Sequence, residues 1–192
     1  MREEAMKLEK VKKSCNITAK VSGILEVILI VCAILCAISA VSCFAFKNQI
    51  NEGIITVSAN SSQEDFVKSL QSLDDAKLGG FLSFTFHTEK MIENGEYGQV
   101  IGIFCVVGAF TCAMVAIVFG LLSRVFKTIK ASDTPFDEAV LKKIKKMFIV
   151  ISVDILLLSG LGEAALAGLI CWSIYNILDY GFTLQKQYDE TL

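Results

Sequence analysis

Four long apolar runs occupy most of the chain and constrain its fold more than any other feature. The runs are Gly23–Phe46, Val100–Leu122, Ile144–Leu161 and Ala164–Leu178. A helix needs about 20 mostly apolar residues to cross the hydrocarbon core of a bilayer, and the first two runs satisfy this alone. The last two reach sufficient length only if Lys145, Lys146 and Asp179 lie at the headgroups. The sequence therefore predicts an all-α membrane protein, a bundle of four transmembrane helices.

The composition excludes a separate water-soluble domain. Hydrophobic residues make up 54% of the 192, and there is a single proline. A soluble domain of this length does not need so much apolar side chain. The first apolar run is also longer than the roughly 7–15 residues of a signal-peptide core, so we interpret it as a membrane anchor.

Basic residues are distributed unevenly along the chain. Residues 1–22 carry six Lys or Arg and residues 123–146 carry seven, whereas 47–98 carries four against eight acids. By the positive-inside rule, the N-terminus and the 123–146 loop are cytoplasmic and 47–98 is extracytoplasmic. Four spans would then return the C-terminus to the cytoplasm.

These observations divide the chain into alternating membrane and aqueous segments. The predicted segments are a cytoplasmic N-terminal segment (1–22), a first span (23–46), an extracytoplasmic cap (47–98), a second span (99–126), a cytoplasmic link (127–143), a third span (144–161), a fourth span (162–180) and a cytoplasmic tail (181–192).

The segment between the first two spans has patterns of secondary structure. Residues 50–57 are rich in β-branched side chains, and Ser61 and Glu64 form a capping box before a helical stripe of apolar residues. Apolar and polar residues then alternate from Leu82 to His87, which is typical of a half-buried strand. We expect a small α/β cap in a strand–helix–strand order.

The cytoplasmic link contains the clearest local signal. Thr134 precedes Pro135, which suits a capping hydroxyl followed by proline at the first helical position. Asp137 follows three residues after Thr134 and suits the positive start of a helix. We therefore predict a helix that begins after Thr134 and continues into the third span.

Small residues recur on one face of the second span, and at Gly160, Ala164 and Gly168 from the last turn into the fourth span. Such stripes allow close approach of helix backbones in a membrane. They favour packing within the bundle, with a homo-oligomer interface as the alternative.

Two motifs resemble a known family. Thr134-Pro135-Phe136 before a basic helix, and the ending from Tyr180 through Gly181 to Gln185 with Asp189 beyond it, resemble the bacterial domain-of-unknown-function 2975 family of small four-span membrane proteins. The four-span plan agrees over nearly the whole chain, and the motifs cover about thirty residues. The resemblance implies a bacterial cytoplasmic membrane and a regulatory protein partner. It implies no activity, since none is established for the family.

Two carboxylates lie within apolar runs. Asp154 is ten residues into the third run, where burial of a charged group costs about 2.5–3.5 kcal/mol. It is either a proton or cation site or a hydrogen-bonded group that fixes packing, and we favour packing. Glu26 is three residues into the first run, near enough to the headgroups to pair with Lys20 or Arg124.

The chain shows no phosphate loop, zinc-protease motif or nucleophile elbow. Its one histidine excludes a two-histidine metal site, and the cysteines fit small apolar positions, so we predict no cofactor and no metal. Lys142, Lys143, Lys145 and Lys146 are expected to face anionic lipid headgroups rather than nucleic acid. The sequence favours a non-enzymatic membrane protein that binds partners, as a sensor, regulator or envelope-stress or immunity component. The alternative is a small transporter or channel that uses Asp154.

Overall fold

The computed structural model of the chain describes residues 2–58, 76–78, 84–132 and 137–190. Most of these residues are helical. The helices are α1 (Arg2–Ala45), α2 (Lys47–Ser58), α3 (Thr88–Glu93), α4 (Tyr97–Ala131), α5 (Glu138–Leu158) and α6 (Leu161–Glu190). The strands are β1 (Ala76–Leu78) and β2 (Phe84–Phe86), which pair antiparallel.

Within the described residues, three helices are long and apolar enough to cross a membrane. They contain the stretches Glu9–Ala45, Tyr97–Ala131 and Leu161–Tyr188. A multi-pass membrane protein is therefore supported, but the predicted four-span bundle is wrong. The third predicted span falls in α5, where four lysines and Asp154 lie among the last 18 residues. The stretch after Lys146, Met147–Leu158, has 12 residues, which is about 18 Å of helix against a core of about 30 Å.

The predicted α/β cap is also wrong. The β-branched segment 50–57 lies inside α2 and is helical, not a strand. The strands that the structure describes are three residues each, with Ala76 paired to Phe86 and Leu78 to Phe84. Ser61, Glu64 and the apolar stripe that follows them lie outside the described residues. The preference of β-branched residues for strands is weak and depends on context. Here α2 follows α1 after a single residue, and helical hydrogen bonds continue through Phe46, from its N–H to Ser42 and from Ile50 to its carbonyl.

The chain divides into two compact units. The first, which we call the terminal unit, comprises Met1–Leu29 and Met114–Leu192, and the second, the central unit, comprises Ile30–Ala113. In the central unit, Gly98 is the second residue of α4 and lies against the backbone of Lys47, so a Cβ added at Gly98 would lie 2.9 Å from the Lys47 Cα. Its N–H donates to Oδ1 of Asn51 at 2.7 Å. Glycine at 98 therefore permits a direct contact between the starts of α2 and α4.

In the terminal unit, small residues bring α1 and α4 together. The Ser123 hydroxyl donates to the carbonyl of Ala19 at 2.9 Å, and both residues are buried. A Cβ added at Gly23 would lie 3.5 Å from the Ser123 Oγ. This close packing follows the small-residue pattern of the second predicted span.

The last two helices of the terminal unit form an antiparallel hairpin. Helix α5 ends at Leu158, and the N–H groups of Ser159 and Gly160 both donate to the carbonyl of Ile155. Gly160 has φ of 139°, a conformation that favours glycine. Helix α6 begins at the next residue, so the two helices pack side by side and position the groove described below.

Candidate functional site

The basic start of α5 is fixed by a capping carboxylate. Asp137 has an extended backbone and accepts from the Ala139 N–H at 2.9 Å, which makes it the N-cap of the helix. The Ser132 hydroxyl donates to the other Asp137 oxygen at 2.8 Å. These two hydrogen bonds, the backbone one first, hold the pKa of Asp137 below its usual range.

The capping position predicted at Thr134 is therefore corrected. The helix begins at Glu138 with Asp137 as its N-cap, three residues later than the sequence motif indicated. Thr134, Pro135 and Phe136 themselves lie outside the described residues. An aspartate caps as well as a threonine does, so the choice between the two depended on the path of the chain, which the local sequence does not determine.

Two of the four lysines at 142, 143, 145 and 146 contact other side chains of the protein. Lys142 forms an ion pair with Glu138 at 2.7 Å, and the hydrogen bond raises the pKa of Lys142 and lowers that of Glu138. Both side chains are exposed, so the pair adds little stability. Lys143 donates to the Thr128 hydroxyl at 2.6 Å, which connects α5 to α4.

A further lysine connects α4 to the N-terminal helix. Lys130 donates to Oδ1 of Asn16 at 3.0 Å. Together with the Lys143–Thr128 bond, it forms a polar chain of contacts from α5 through α4 to α1 at the basic end of the terminal unit. Sequence reasoning assigned Lys143 to lipid headgroups alone and missed its hydroxyl partner on α4.

An open apolar groove of about 510 Å³ runs between α5 and α6. Lys145 and Tyr175 line one end, and the Lys145 ammonium lies 5.6 Å from the centre of the Tyr175 ring, within reach of a cation–π contact. Leu156 and Leu161 line the opposite end. Trp172 also lines the groove and is 66% exposed.

Part of the groove is lined by small residues. Ser152 satisfies its hydroxyl by donating to the Phe148 carbonyl at 2.9 Å. A Cβ at Gly168 would lie 3.9 Å from the Ser152 Oγ, an ordinary contact. Ala164 and Ala165 complete this part of the lining. The sequence signal was the repeat of small residues at Gly160, Ala164 and Gly168, which indicated close packing and not the groove beside it.

Asp154 does not line the groove. It is 5% exposed, and its Oδ2 has no hydrogen-bond partner within the described residues. Val140, Met147 and Asp154 are all buried and are seven residues apart, which places them on one face of the helix. Asp154 therefore lies on the packed side of α5. The sequence predicts hydrogen bonds that hold this carboxyl in place. Within the described part of the chain, Oδ2 has none.

Glu26 packs against the second apolar helix. It is half-buried, and a Cβ added at Gly120 would overlap its carboxylate. The expected pairing of Glu26 with Lys20 or Arg124 stays a prediction. Glycine at 120 leaves the space that this carboxylate occupies.

The remaining candidate residues lie near the end of α6. Gly181 and Gln185 are half-buried, and Asp189 is within the helix. The predicted cytoplasmic tail from 181 onward is thus helical as far as Glu190. Across the described parts of the chain, no group of three or more His, Cys, Asp or Glu side chains could hold a metal ion.

Comparison with known proteins gave no relative: no family model, no curated protein and no solved structure matches the chain.

Proposed function

We propose that the chain is a non-enzymatic integral membrane protein that acts through binding, as a sensor or regulator in a bacterial cytoplasmic membrane. The observation that carries the proposal is the α5–α6 groove, an open apolar surface with a cationic side chain at one end. Ligand sites are typically concave and mostly apolar with a few placed polar groups, and the volume of this groove lies in the usual range.

A route from the groove to the rest of the terminal unit supports a regulatory role. Lys145 lies two residues after Lys143, which donates to Thr128 on α4. Two residues beyond Thr128, Lys130 donates to Asn16 on α1. Binding that shifts the start of α5 would therefore act on side-chain contacts that reach the N-terminal helix.

The proposal includes an orientation in the membrane. Six Lys or Arg in 1–22 and seven in 123–146 support a cytoplasmic position for both segments. A cysteine-free variant with one new cysteine at position 132 is expected to resist an impermeant thiol reagent in intact cells. Labelling at 132 under these conditions would reverse the orientation.

The binding role is tested by native mass spectrometry of protein taken from its own membrane in mild detergent. Wild type is expected to retain an adduct that Ala165→Leu loses, because leucine at this exposed lining position projects a larger side chain into the groove and obstructs it. Ala113→Leu adds the same volume at an exposed position of α4 and is expected to keep the adduct. Equal adducts in all three proteins, or none in wild type, would contradict the proposal.

A small transporter or channel is the second candidate, and the buried Asp154 favours it. An unpartnered carboxylate oxygen in an apolar segment is typical of proton and cation sites. The binding role has more support because Asp154 is absent from the lining of the groove.

A further inference from the structure

The shape of the α5–α6 groove indicates what it binds. Lys145 and Leu156 mark its two ends on α5 and are 11 residues apart. At about 1.5 Å per residue the groove is about 16 Å long. One leaflet accounts for half of a hydrocarbon core of about 30 Å. The groove thus matches the depth of a single leaflet, which is the length over which one acyl chain lies.

The charge of the groove is confined to one end. Among the residues that the structure describes, Lys145 is the only charged one that lines the groove, and the Ser152 hydroxyl donates to a carbonyl of its own helix. Lys143 and Lys146 lie within two residues of Lys145 and make this end of the hairpin basic, whereas the charge of Lys142 is paired with Glu138. A ligand that fits is therefore an apolar chain with a negative group at one end.

The aromatic residues suit the same ligand. Tyr175 lies beneath the Lys145 ammonium, at the boundary between the apolar lining and the basic end. Tyrosine and tryptophan are enriched at the level of the headgroups, where one side of the ring is apolar and the other is hydrated. Trp172, one helical turn before Tyr175, lies deeper along the groove.

We infer that the α5–α6 groove is a binding site for a single anionic phospholipid, with one acyl chain along the groove and the headgroup phosphate at Lys145. This inference rests on the proposed binding role of the groove and names the class of its ligand. The preference for a negative headgroup is expected from Lys145, since a lysine near an anionic surface contributes about 1 kcal/mol, or about fivefold in affinity.

Trp172 supplies a direct readout, because it is the only tryptophan of the chain and is 66% exposed in the groove. The protein is reconstituted into vesicles of phosphatidylcholine and phosphatidylglycerol, with brominated acyl chains on one lipid at a time. Brominated chains quench tryptophan on contact, so quenching against mole fraction gives the relative affinity of the two lipids at Trp172. Wild type is expected to prefer phosphatidylglycerol about fivefold.

Matched variants assign the preference to the groove. Lys145→Gln is expected to reduce the ratio to about one, whereas Lys146→Gln removes the same charge at the adjacent exposed residue outside the lining and is expected to keep the preference. Lys145→Arg keeps the charge and is expected to keep the preference. Ala165→Leu is expected to lose it. Helical circular dichroism of each variant is compared with wild type, and Lys145→Arg and Ala165→Leu carry the test if Lys145→Gln does not fold.

A wild-type ratio of one would overturn the inference, as would equal losses in Lys145→Gln and Lys146→Gln, which would show diffuse surface charge. The failure of the lipid inference is distinguishable from the failure of the proposed function. If the ratio is one but Ala165→Leu still loses the native adduct, the groove binds a different ligand. If Ala165→Leu behaves as wild type in both experiments, both proposals fail.

Discussion

The Ser123 hydroxyl lies 2.9 Å from the carbonyl oxygen of Ala19 and joins α4 to α1 through a hydrogen bond buried from solvent. The Ala19 carbonyl lies within helix α1, so it accepts the Ser123 hydrogen bond in addition to its own helical hydrogen bond. Hydrogen bonds between helices in membranes contribute about 0.6 kcal/mol on average. The relationship is therefore a modest, specific contact that fixes the register of two apolar helices.

Ser123→Ala is expected to lower the free energy of unfolding by about 0.6 kcal/mol, because it removes the donor and leaves the Ala19 carbonyl its helical partner. Ser123→Val is expected to cost more, because it removes the same donor and places two methyl groups at a buried position that packs against α1. Unfolding in mixed micelles, followed by circular dichroism, checks both. A larger loss for alanine than for valine would show that the hydroxyl and not the space is decisive.

Gly120→Ala is expected to destabilise the protein only while Glu26 is present. The new methyl group would overlap the Glu26 carboxylate and displace it. In a Glu26→Ala background the same change is expected to be neutral or stabilising, because alanine is favoured over glycine in a helix by about 1 kcal/mol. A double-mutant cycle measures the difference, and additive effects of the two changes would contradict the contact.

The Asp137 cap predicts a pH dependence for the start of α5. Because hydrogen bonds from Ala139 and Ser132 lower the pKa of Asp137 in the folded protein, its contribution is complete above the unfolded pKa. It is lost as the pH falls through the lowered folded pKa. Ser132→Ala is expected to move the pKa of Asp137 back toward its ordinary value, as measured by NMR titration of the carboxyl carbon.

Thr134→Ala serves as the control for the cap. It is expected to leave the pH dependence and the start of α5 unchanged, because the side chain that accepts the capping hydrogen bond is that of Asp137. Asp137→Ala is expected to fray the first turn and to increase amide exchange at Ala139. If Thr134→Ala frays the first turn of α5 and Asp137→Ala does not, the N-cap is Thr134, as the sequence motif predicted.

Substitutions of Asp154 distinguish a packing role of its side chain from a role in transport. Its Oδ2 is buried without a partner among the described residues, and an unpaired buried polar group costs about 1–3 kcal/mol. Asp154→Leu is therefore expected to raise the thermal midpoint, and Asp154→Asn to leave folding nearly unchanged. Proteoliposomes with a proton or cation gradient test the alternative. A flux that wild type shows and Asp154→Asn lacks would establish transport in place of the packing role.

The apolar periodicity of the sequence predicts the long helices well, because each apolar run needs a helix to satisfy its backbone in a membrane. The number of spans was overestimated, since the third run was counted with its flanking lysines and Asp154. The segment 50–57 was misassigned because β-branched side chains favour strands only weakly, and tertiary context decides.

The candidate site was less accessible to sequence reasoning. Asp154 and Glu26 were found as carboxylates in apolar runs, but their surroundings were not, because contacts such as Glu26 with Gly120 depend on helix register. The groove is lined by Gly168 and two alanines of α6, and Gly168 lies against Ser152 of α5. Small residues at this spacing predict close packing, and only the three-dimensional arrangement shows the open surface that lies beside it.

Thermal unfolding in mixed micelles tests most directly the central claim that the α5–α6 groove binds an anionic phospholipid, because a ligand that binds only the folded state raises the midpoint as its concentration increases. With added phosphatidylglycerol, the midpoints of wild type and Ala113→Leu are expected to rise together, while that of Ala165→Leu stays constant. Equal increases in all three proteins, or no increase in wild type, would contradict the account.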